Sequence, residues 1–184
     1  MEKSNYLNSL IKKETSRIEL LKAIELKDNI FDKIMDSKLN DIEIIYFSSN
    51  PYLTEKNINR LFDLKIENAN INLLKNSNCS VNKLYNFLSL NDKIYNIAIA
   101  HNENHNYELF KKLFRLNDFD VDITLSFNNS TPSDILKKLY LKDKYEINFG
   151  LSCNRKTPKE ILKVLFEDIQ YSSNISNIIN TDDF

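Results

Sequence analysis

The only two histidines of the chain, His101 and His105, stand four residues apart. On one face of a helix this spacing would bring two imidazoles together, and Glu103 or Glu108 could complete the ligand set of a metal ion. The segment 102–104 between them, however, falls where the repeat described below places a loop, and His105 takes the position of a helix cap. We therefore expect capping or solvated histidines, and we predict no metal and no cofactor.

Other catalytic arrangements are also missing from the sequence. It contains no GxSxG, HExxH or Cys–His–Asn pattern, so nothing in it indicates a hydrolase. A single glycine, Gly150, cannot build a Walker loop or a dinucleotide fingerprint, both of which need several residues without a Cβ. Cys79 and Cys153 lack metal or redox spacing and are expected to be reduced, buried thiols. We predict that the protein is not an enzyme.

Basic side chains recur at positions that could form a binding surface. They stand nine or ten places after the junction of each repeat, which is an asparagine in every case except Ile24. With one tyrosine at the same place, we call them the basic ridge: Lys33, Arg60, Tyr85, Lys111, Lys112, Lys137, Lys138 and Lys163. On stacked helices the ridge would meet an acidic protein surface or a nucleic-acid backbone. The alternative, which we favour, is a solvated helix face paired with Glu108, Asp134 and Glu160, each pair contributing only about 0.2–0.5 kcal/mol.

A repeat in the sequence predicts the structural elements that must position these residues. Asparagine recurs every 26 residues, and we call these residues the junction asparagines: Asn50, Asn76, Asn102, Asn128, Asn154 and Asn180. Apolar residues keep the same phase three places before, five places before, and eleven and twelve places after each of the first five. Such phase-locking predicts about seven units of one repeat, of which residues 3–23 are a degenerate first unit.

Each unit is predicted to contain a pair of helices. In the second half, Thr131 and Thr157 open the sequences TPSD and TPKE, which are typical of capping boxes with proline at the first helical position. Thr54 and Ser80 are predicted to cap earlier helices. In the first half, residues 121–127 alternate as a strand would, but their apolar spacing also fits a short helix or a 3₁₀ segment. We favour the helix.

Two polar columns accompany the helices. The junction asparagines are expected to bond the backbone of a turn and to adopt the left-handed conformation that ends a helix. A second column, six places earlier, could be structural or could form a polar recognition strip: Asn70, Asn96, Asp122, Asn148 and Asn174. Asp118, Asp120 and Asp122 are expected to be a solvated helix start, where negative charge favours the helix dipole.

The later units carry a more specific pattern. Residues 128–139 read NNSTPSDILKKL, residues 154–165 read NRKTPKEILKVL, residues 96–102 read NIAIAHN, and Asn50 is followed by Pro51. These segments resemble variant leucine-rich repeats, whose pattern is roughly VxxAVAxNPxTPxxLLxxL, over about residues 40–180. The resemblance implies a right-handed α-solenoid of paired short helices. Some members of that family contain an iron–sulfur cluster held by extra cysteines, which this sequence lacks.

We therefore predict an all-α, right-handed α-solenoid of about seven 26-residue units, forming one domain over residues 1–184. Its parts are an N-terminal capping unit (1–23), the repeats (24–166) and an acidic C-terminal cap (167–184).

The expected function is non-enzymatic recognition of a protein, by an adaptor, inhibitor or immunity-type module, and nucleic-acid binding along the basic ridge is the alternative. A net charge of −1 weakens that alternative. No segment of about 18 apolar residues and no signal peptide occur, so we expect a cytoplasmic protein without membrane contact. Self-association through the C-terminal end is also expected.

Overall fold

A computed structural model describes residues 14–26, 29–104 and 106–168. Within these ranges all regular secondary structure is helical, so the all-α prediction is confirmed and the strand interpretation of residues 121–127 is wrong. There are twelve helices in the described ranges: α1 Glu14–Ala23, α2 Ile30–Asp36, α3 Asp41–Phe47, α4 Glu55–Phe62, α5 Glu67–Lys75, α6 Val81–Leu88, α7 Lys93–Ala100, α8 Tyr107–Arg115, α9 Phe119–Phe127, α10 Ser133–Tyr140, α11 Tyr145–Cys153 and α12 Lys159–Glu167.

The helices begin at intervals that match the 26-residue period of the sequence. The odd-numbered helices from α3 to α11 begin at residues 41, 67, 93, 119 and 145, and the even-numbered helices from α4 to α12 begin at residues 55, 81, 107, 133 and 159. Each step in both series is therefore 26 residues, the spacing of the junction asparagines. The odd-numbered helices are short α-helices rather than 3₁₀ segments.

The chain forms two compact units, residues 1–83 and 84–184, with the boundary inside α6. In the first unit, α3 packs against both α1 and α5, and α4 packs against α5. In the second unit, α9 packs against both α7 and α11, while α8 packs against α10. The predicted domain limits at residues 23 and 167 stay predictions, and residues 1–13 and 169–184, which hold most of both predicted caps, lie outside the described residues.

The buried core comes from the apolar columns next to the junction asparagines. The column three places before each asparagine is buried in both units: Phe47, Leu73, Ile99, Leu125 and Leu151. The even-numbered helices contribute a matching column of leucines, eleven places after the asparagine: Leu61, Leu113, Leu139 and Leu165. Because both helices of a pair turn one apolar stripe inward, the 26-residue spacing produces repeated layers of core side chains.

The junction asparagines join successive pairs of helices. The side-chain amide of Asn154 donates to the carbonyl oxygens of Ser126 and of Asn128, at 2.8 and 3.0 Å, and its Oδ1 accepts from the backbone N–H of Lys156 at 2.8 Å. Asn128 repeats this pattern, since it donates to the carbonyl oxygens of Ala100 and Asn102. Each amide therefore closes its own turn and also binds the same turn one repeat earlier.

The first unit contains the same arrangement. Asn76 donates to the carbonyl oxygen of Asn50, 26 residues earlier, at 3.0 Å. Asn50 in turn donates to the carbonyl oxygens of Leu21 and Ile24, at 2.8 and 3.0 Å. The sixth junction asparagine, Asn180, lies outside the described residues.

The left-handed conformation predicted for the junction asparagines is wrong. Asn76, Asn128 and Asn154 have φ between −71° and −94° with ψ between 113° and 128°, which is extended backbone. Positive φ occurs instead in the other turn, just before the odd-numbered helices, at Lys38, Lys65, Asn91, Asn117 and Asp143. That turn reverses the chain more tightly, and the short side chains of Asn and Asp tolerate the left-handed region better than most residues do.

The predicted capping boxes at Thr131 and Thr157 are also wrong. Their hydroxyls donate to the carbonyl oxygens of Leu125 and Leu151, at 2.7 and 2.8 Å, instead of accepting from a helix N–H. The reason is the extended backbone of Pro132 and Pro158, which delays each helix to the following residue. The threonines then face the end of the preceding odd-numbered helix. Thr54 does cap α4, since its hydroxyl accepts from the N–H of Asn57 at 3.3 Å.

Candidate functional site

In the first unit, the arginine of the basic ridge is held by neighbours in the chain. The guanidinium of Arg60 on α4 forms an ion pair with Asp32 on α2 and lies 4.8 Å from the ring centroid of Phe31. This contact lowers the pKa of the Asp32 carboxyl, mainly through the hydrogen bond from Arg60. Lys33, the other member in this unit, has an exposed side chain. The arginine therefore links α2 to α4.

In the second unit, most of the lysines of the basic ridge also form ion pairs with carboxylates of the chain. Lys111 pairs with Glu108 at 3.5 Å and Lys138 with Asp134 at 3.3 Å, both as the sequence predicts. Lys137 instead crosses from α10 to Glu160 on α12, at 2.8 Å, and its hydrogen bond lowers the pKa of that carboxyl.

The remaining ridge residues of the second unit also lie beside partners. The ammonium group of Lys112 is 4.7 Å from the ring centroid of Tyr85, whose hydroxyl donates to Oδ1 of Asn106 at 3.2 Å. Lys163 is exposed on α12. Four of the seven ridge cations, Arg60, Lys111, Lys137 and Lys138, pair with carboxylates of the chain itself, which reduces the positive charge that the ridge offers to a polyanion.

Three of the four histidines and cysteines, His101, Cys79 and Cys153, lie within the described residues. His101 is the exposed residue that ends α7, whereas His105 lies outside the described residues. Cys79 is buried, and burial raises the pKa of its thiol to about 12. Cys153 is half-buried rather than buried as predicted. Across residues 14–26, 29–104 and 106–168, no group of three or more His, Cys, Asp or Glu side chains is placed to hold a metal ion.

Asp122 departs from its predicted place on a solvated helix start. Its side chain is 2% exposed and forms an ion pair with Lys142, while its Oδ1 has no hydrogen-bond partner among the described residues. Burial raises the pKa of this carboxyl and outweighs the opposing effect of Lys142. The same position holds Asn70, Asn96 and Asn148, whose Oδ1 atoms also lack a described partner. Asn96, Asp122 and Asn148 are buried and Asn70 is half-buried, so these four side chains offer little surface for recognition. Asn174 lies outside the described residues.

We expect the variant Asp122→Asn to become progressively more stable than the wild type as the pH rises. Because the folded state raises the pKa of Asp122 above its ordinary value of 3.8, the contribution of its protonated form is fully present below that value. It is lost as the pH rises through the raised pKa. An amide already occupies this position in three other repeats, so the variant should fit. Urea unfolding of both proteins at about pH 4, 5, 6 and 7 measures the difference.

The exposed carboxyl of Asp63 provides the control for this experiment. The substitution Asp63→Asn removes the same charge without removing a buried carboxylate, and its difference from the wild type should change less over the series. A stability difference for Asp122→Asn that stays constant from about pH 4 to 7 would contradict the effect of burial.

The described surface also contains an apolar groove on the odd-numbered helices of the second unit. It has a volume of about 320 Å³ and is lined by Ile123 and Phe127 of α9 and by Tyr145, Glu146 and Phe149 of α11. The ring centroids of Phe127 and Phe149 are 6.0 Å apart, and those of Tyr145 and Phe149 are 6.3 Å apart. Phe127 and Tyr145 are 41% and 54% exposed. Exposed aromatic rings around a concave surface are typical of binding sites.

Sequence reasoning missed this groove. The column five places before the junction asparagines was expected to be core, but all of its members are only half-buried: Ile45, Ile71, Ile97, Ile123 and Phe149. A usable signal was nevertheless present. Phe127 occupies a position where the other repeats have Ser49, Lys75, His101 and Cys153, and Tyr145 takes the place of charged residues in three other repeats. Aromatic residues at helix-surface positions that are polar or charged in other repeats indicate a function specific to this repeat, such as binding.

Comparison with known proteins found no matching family model, no similar curated protein and no similar solved structure. The fold itself defines the class as an all-helical protein with a repeat-like architecture. No helix in the described part of the chain is long and apolar enough to cross a membrane.

Proposed function

We propose that this chain is a non-enzymatic helical-repeat module that binds another protein, and that the groove between α9 and α11 is its contact surface. The observation that carries the proposal is the cluster of exposed Phe127 and Tyr145 with half-buried Phe149 around a cavity of about 320 Å³. Burying aromatic side chains of this size contributes much of the affinity in protein interfaces. An adaptor, an inhibitor and an immunity-type protein would all use such a surface.

The proposal extends to the architecture. The 26-residue units are proposed to form a right-handed α-solenoid of about seven repeats, as the resemblance to variant leucine-rich repeats implies. Support comes from the recurring helix starts and from the junction asparagines that bind the preceding repeat. A radius of gyration well above the about 16 Å of a globular chain of this length, measured by small-angle scattering, is the expected result. A value near 16 Å would contradict the solenoid.

Nucleic-acid binding along the basic ridge is the competing function. It requires cations that are free to replace the counterions of phosphates, and affinity should then fall steeply with salt. Lys111, Lys137, Lys138 and Arg60 already contact carboxylates of the chain. This internal pairing favours the groove over the ridge as the contact surface.

Photo-crosslinking tests the two surfaces against each other. A photoreactive phenylalanine derivative replaces Tyr145 in the groove or Lys137 on the ridge, and the full chain is irradiated in cells of its natural source. We expect a protease-sensitive, nuclease-resistant adduct from position 145, reduced at least tenfold when Phe149→Glu is added. Each variant is first checked for a wild-type circular dichroism spectrum and melting temperature.

The outcome at the two positions decides between the functions. Adducts that form only from position 137 and disappear on nuclease treatment would establish the nucleic-acid alternative. Adducts from position 145 that persist in the Phe149→Glu variant would show that the groove is not the contact surface.

A further inference from the structure

The groove has a charge as well as a shape. Glu146 lines it and is exposed, and it forms no ion pair or hydrogen bond within the described part of the chain. One repeat earlier, Asp120 occupies the same position on α9, and its carboxylate binds the ammonium group of Lys93 at 2.5 Å. The carboxylate on α9 is therefore neutralised by the chain, whereas the one on α11 has no such partner among the described residues.

An unpaired carboxylate next to an apolar cavity sets a requirement on the occupant. The other four lining residues, Ile123, Phe127, Tyr145 and Phe149, present rings and methyl groups. Low-polarity surroundings strengthen the attraction between Glu146 and an opposite charge, so a cation placed there gains more than it would on open surface. A neutral or acidic group at the same place would leave the carboxylate partly desolvated and unpaired.

We infer that the groove binds a linear segment of another protein in which a large apolar side chain stands next to lysine or arginine. The inference rests on the proposed function and names the chemistry of the partner. The apolar side chain enters the cavity and packs against the rings of Phe127 and Phe149, and the neighbouring cation pairs with Glu146. A linear segment matches a cavity of about 320 Å³ better than a flat folded surface does, since it can insert single side chains.

Selection from a random peptide library displayed on phage tests this inference. The full-length wild-type chain is immobilised, and parallel selections use Glu146→Lys and Tyr145→Ala. The control variant is Glu67→Lys, which reverses an exposed carboxylate on α5 in the other compact unit. Thermal melting establishes that all variants fold. Enriched sequences are then synthesised, and their affinities are measured by fluorescence anisotropy at low and high salt.

We expect the wild type to enrich peptides with Leu, Ile, Met or Phe within two residues of Lys or Arg. The affinity of such a peptide should fall about tenfold in Glu146→Lys and at least tenfold in Tyr145→Ala, with no change in Glu67→Lys. Selection on Glu146→Lys should replace the basic residue with Asp or Glu. Higher salt should weaken the wild-type complex more than that of an uncharged variant peptide.

Three outcomes would overturn the inference, and they separate it from the proposed function. Apolar peptides without a basic preference that still require Tyr145 would refute the charge requirement and leave the groove as the binding surface. A failure to enrich peptides that depend on the groove would refute the linear segment, and crosslinking from position 145 would then decide whether the groove binds a folded surface. Concentration-dependent dimerisation of the chain, abolished by Tyr145→Ala, would assign the groove to a second copy of the protein.

Discussion

Replacing Asn154 with alanine is expected to lower the free energy of unfolding by about 3–5 kcal/mol. The side chain is fully buried and makes three hydrogen bonds to the backbone, two as a donor and one as an acceptor. Alanine would leave the carbonyl oxygens of Ser126 and Asn128, together with the N–H of Lys156, without these partners. Each unsatisfied buried group costs about 1–3 kcal/mol, and partial entry of water keeps the sum below the maximum.

The neighbouring residues supply the comparison for this experiment. Asn129 is exposed, and its side chain makes one hydrogen bond, to the N–H of Arg155. Asn129→Ala should therefore lower the stability by no more than about 1 kcal/mol. Urea unfolding followed by circular dichroism measures both variants. Equal and small losses for Asn154→Ala and Asn129→Ala would show that the junction asparagine does not hold adjacent repeats together.

Gly150→Ala is the second substitution with a large expected effect, a loss of about 1–2 kcal/mol. In an unconstrained helix interior the same change would stabilise the protein by about 1 kcal/mol, so a loss of stability would indicate a steric clash at this position. Here a Cβ on Gly150 of α11 would lie 1.9 Å from Oγ and 2.9 Å from Cβ of Ser126 on α9. Overpacking of this kind costs about 1–3 kcal/mol, because neither helix can move without disturbing its other contacts.

A double-mutant cycle isolates that contact. Ser126→Gly removes the two nearest atoms that the new Cβ would meet and leaves only Cδ2 of Phe127 at 3.0 Å, so the combined variant should be more stable than the sum of the two single effects predicts. A favourable coupling of about 1 kcal/mol or more is expected from chemical or thermal unfolding. A stabilised Gly150→Ala variant, or effects that simply add, would mean that α9 and α11 are not in such close contact.

The positions of the helices could be predicted from the sequence because packing imposes its period on the residues. Leu73, Ile99, Leu125 and Leu151 occupy the same place in successive repeats and are buried in the same way. Thr54 as a cap was predictable for a similar reason, since its hydroxyl acts within four residues of the chain. Local chemistry and a strict repeat together determined these features.

The distribution of turn conformations could not be predicted. Asparagine is abundant, with 27 residues, so its presence did not show which of the two turns holds a left-handed residue. In two repeats that residue is a lysine, Lys38 or Lys65, a type that gives no signal for positive φ. The hydroxyl of Thr157 was misassigned because its acceptor, the carbonyl of Leu151, becomes available only once the preceding helix is packed. Both errors arise where the tertiary arrangement selects among local options.

The candidate groove was hidden for a related reason. Phe149 follows the same column as Ile97 and Ile123, and a column of apolar residues does not reveal how much of each side chain stays exposed. Glu146 could not be singled out from the sequence, because Asp120 at the same place one repeat earlier is acidic too. The difference is that Asp120 pairs with Lys93, and only the structure shows that ion pair. Burial and pairing are properties of the packed helices, which the sequence pattern does not contain.

The hydrogen bonds of the junction asparagines restrict how such a chain can change its length during evolution. Asn50, Asn76, Asn128 and Asn154 each bind a backbone oxygen that lies 26 residues earlier. An inserted or deleted residue between donor and acceptor would have to be absorbed before the next asparagine, whereas duplication of one whole repeat preserves every bond. Lys38 comes 27 residues before Lys65, yet Asn50 still binds Ile24. This bonding pattern therefore permits the chain to gain or lose whole repeats. It also permits small insertions or deletions that are absorbed inside one repeat.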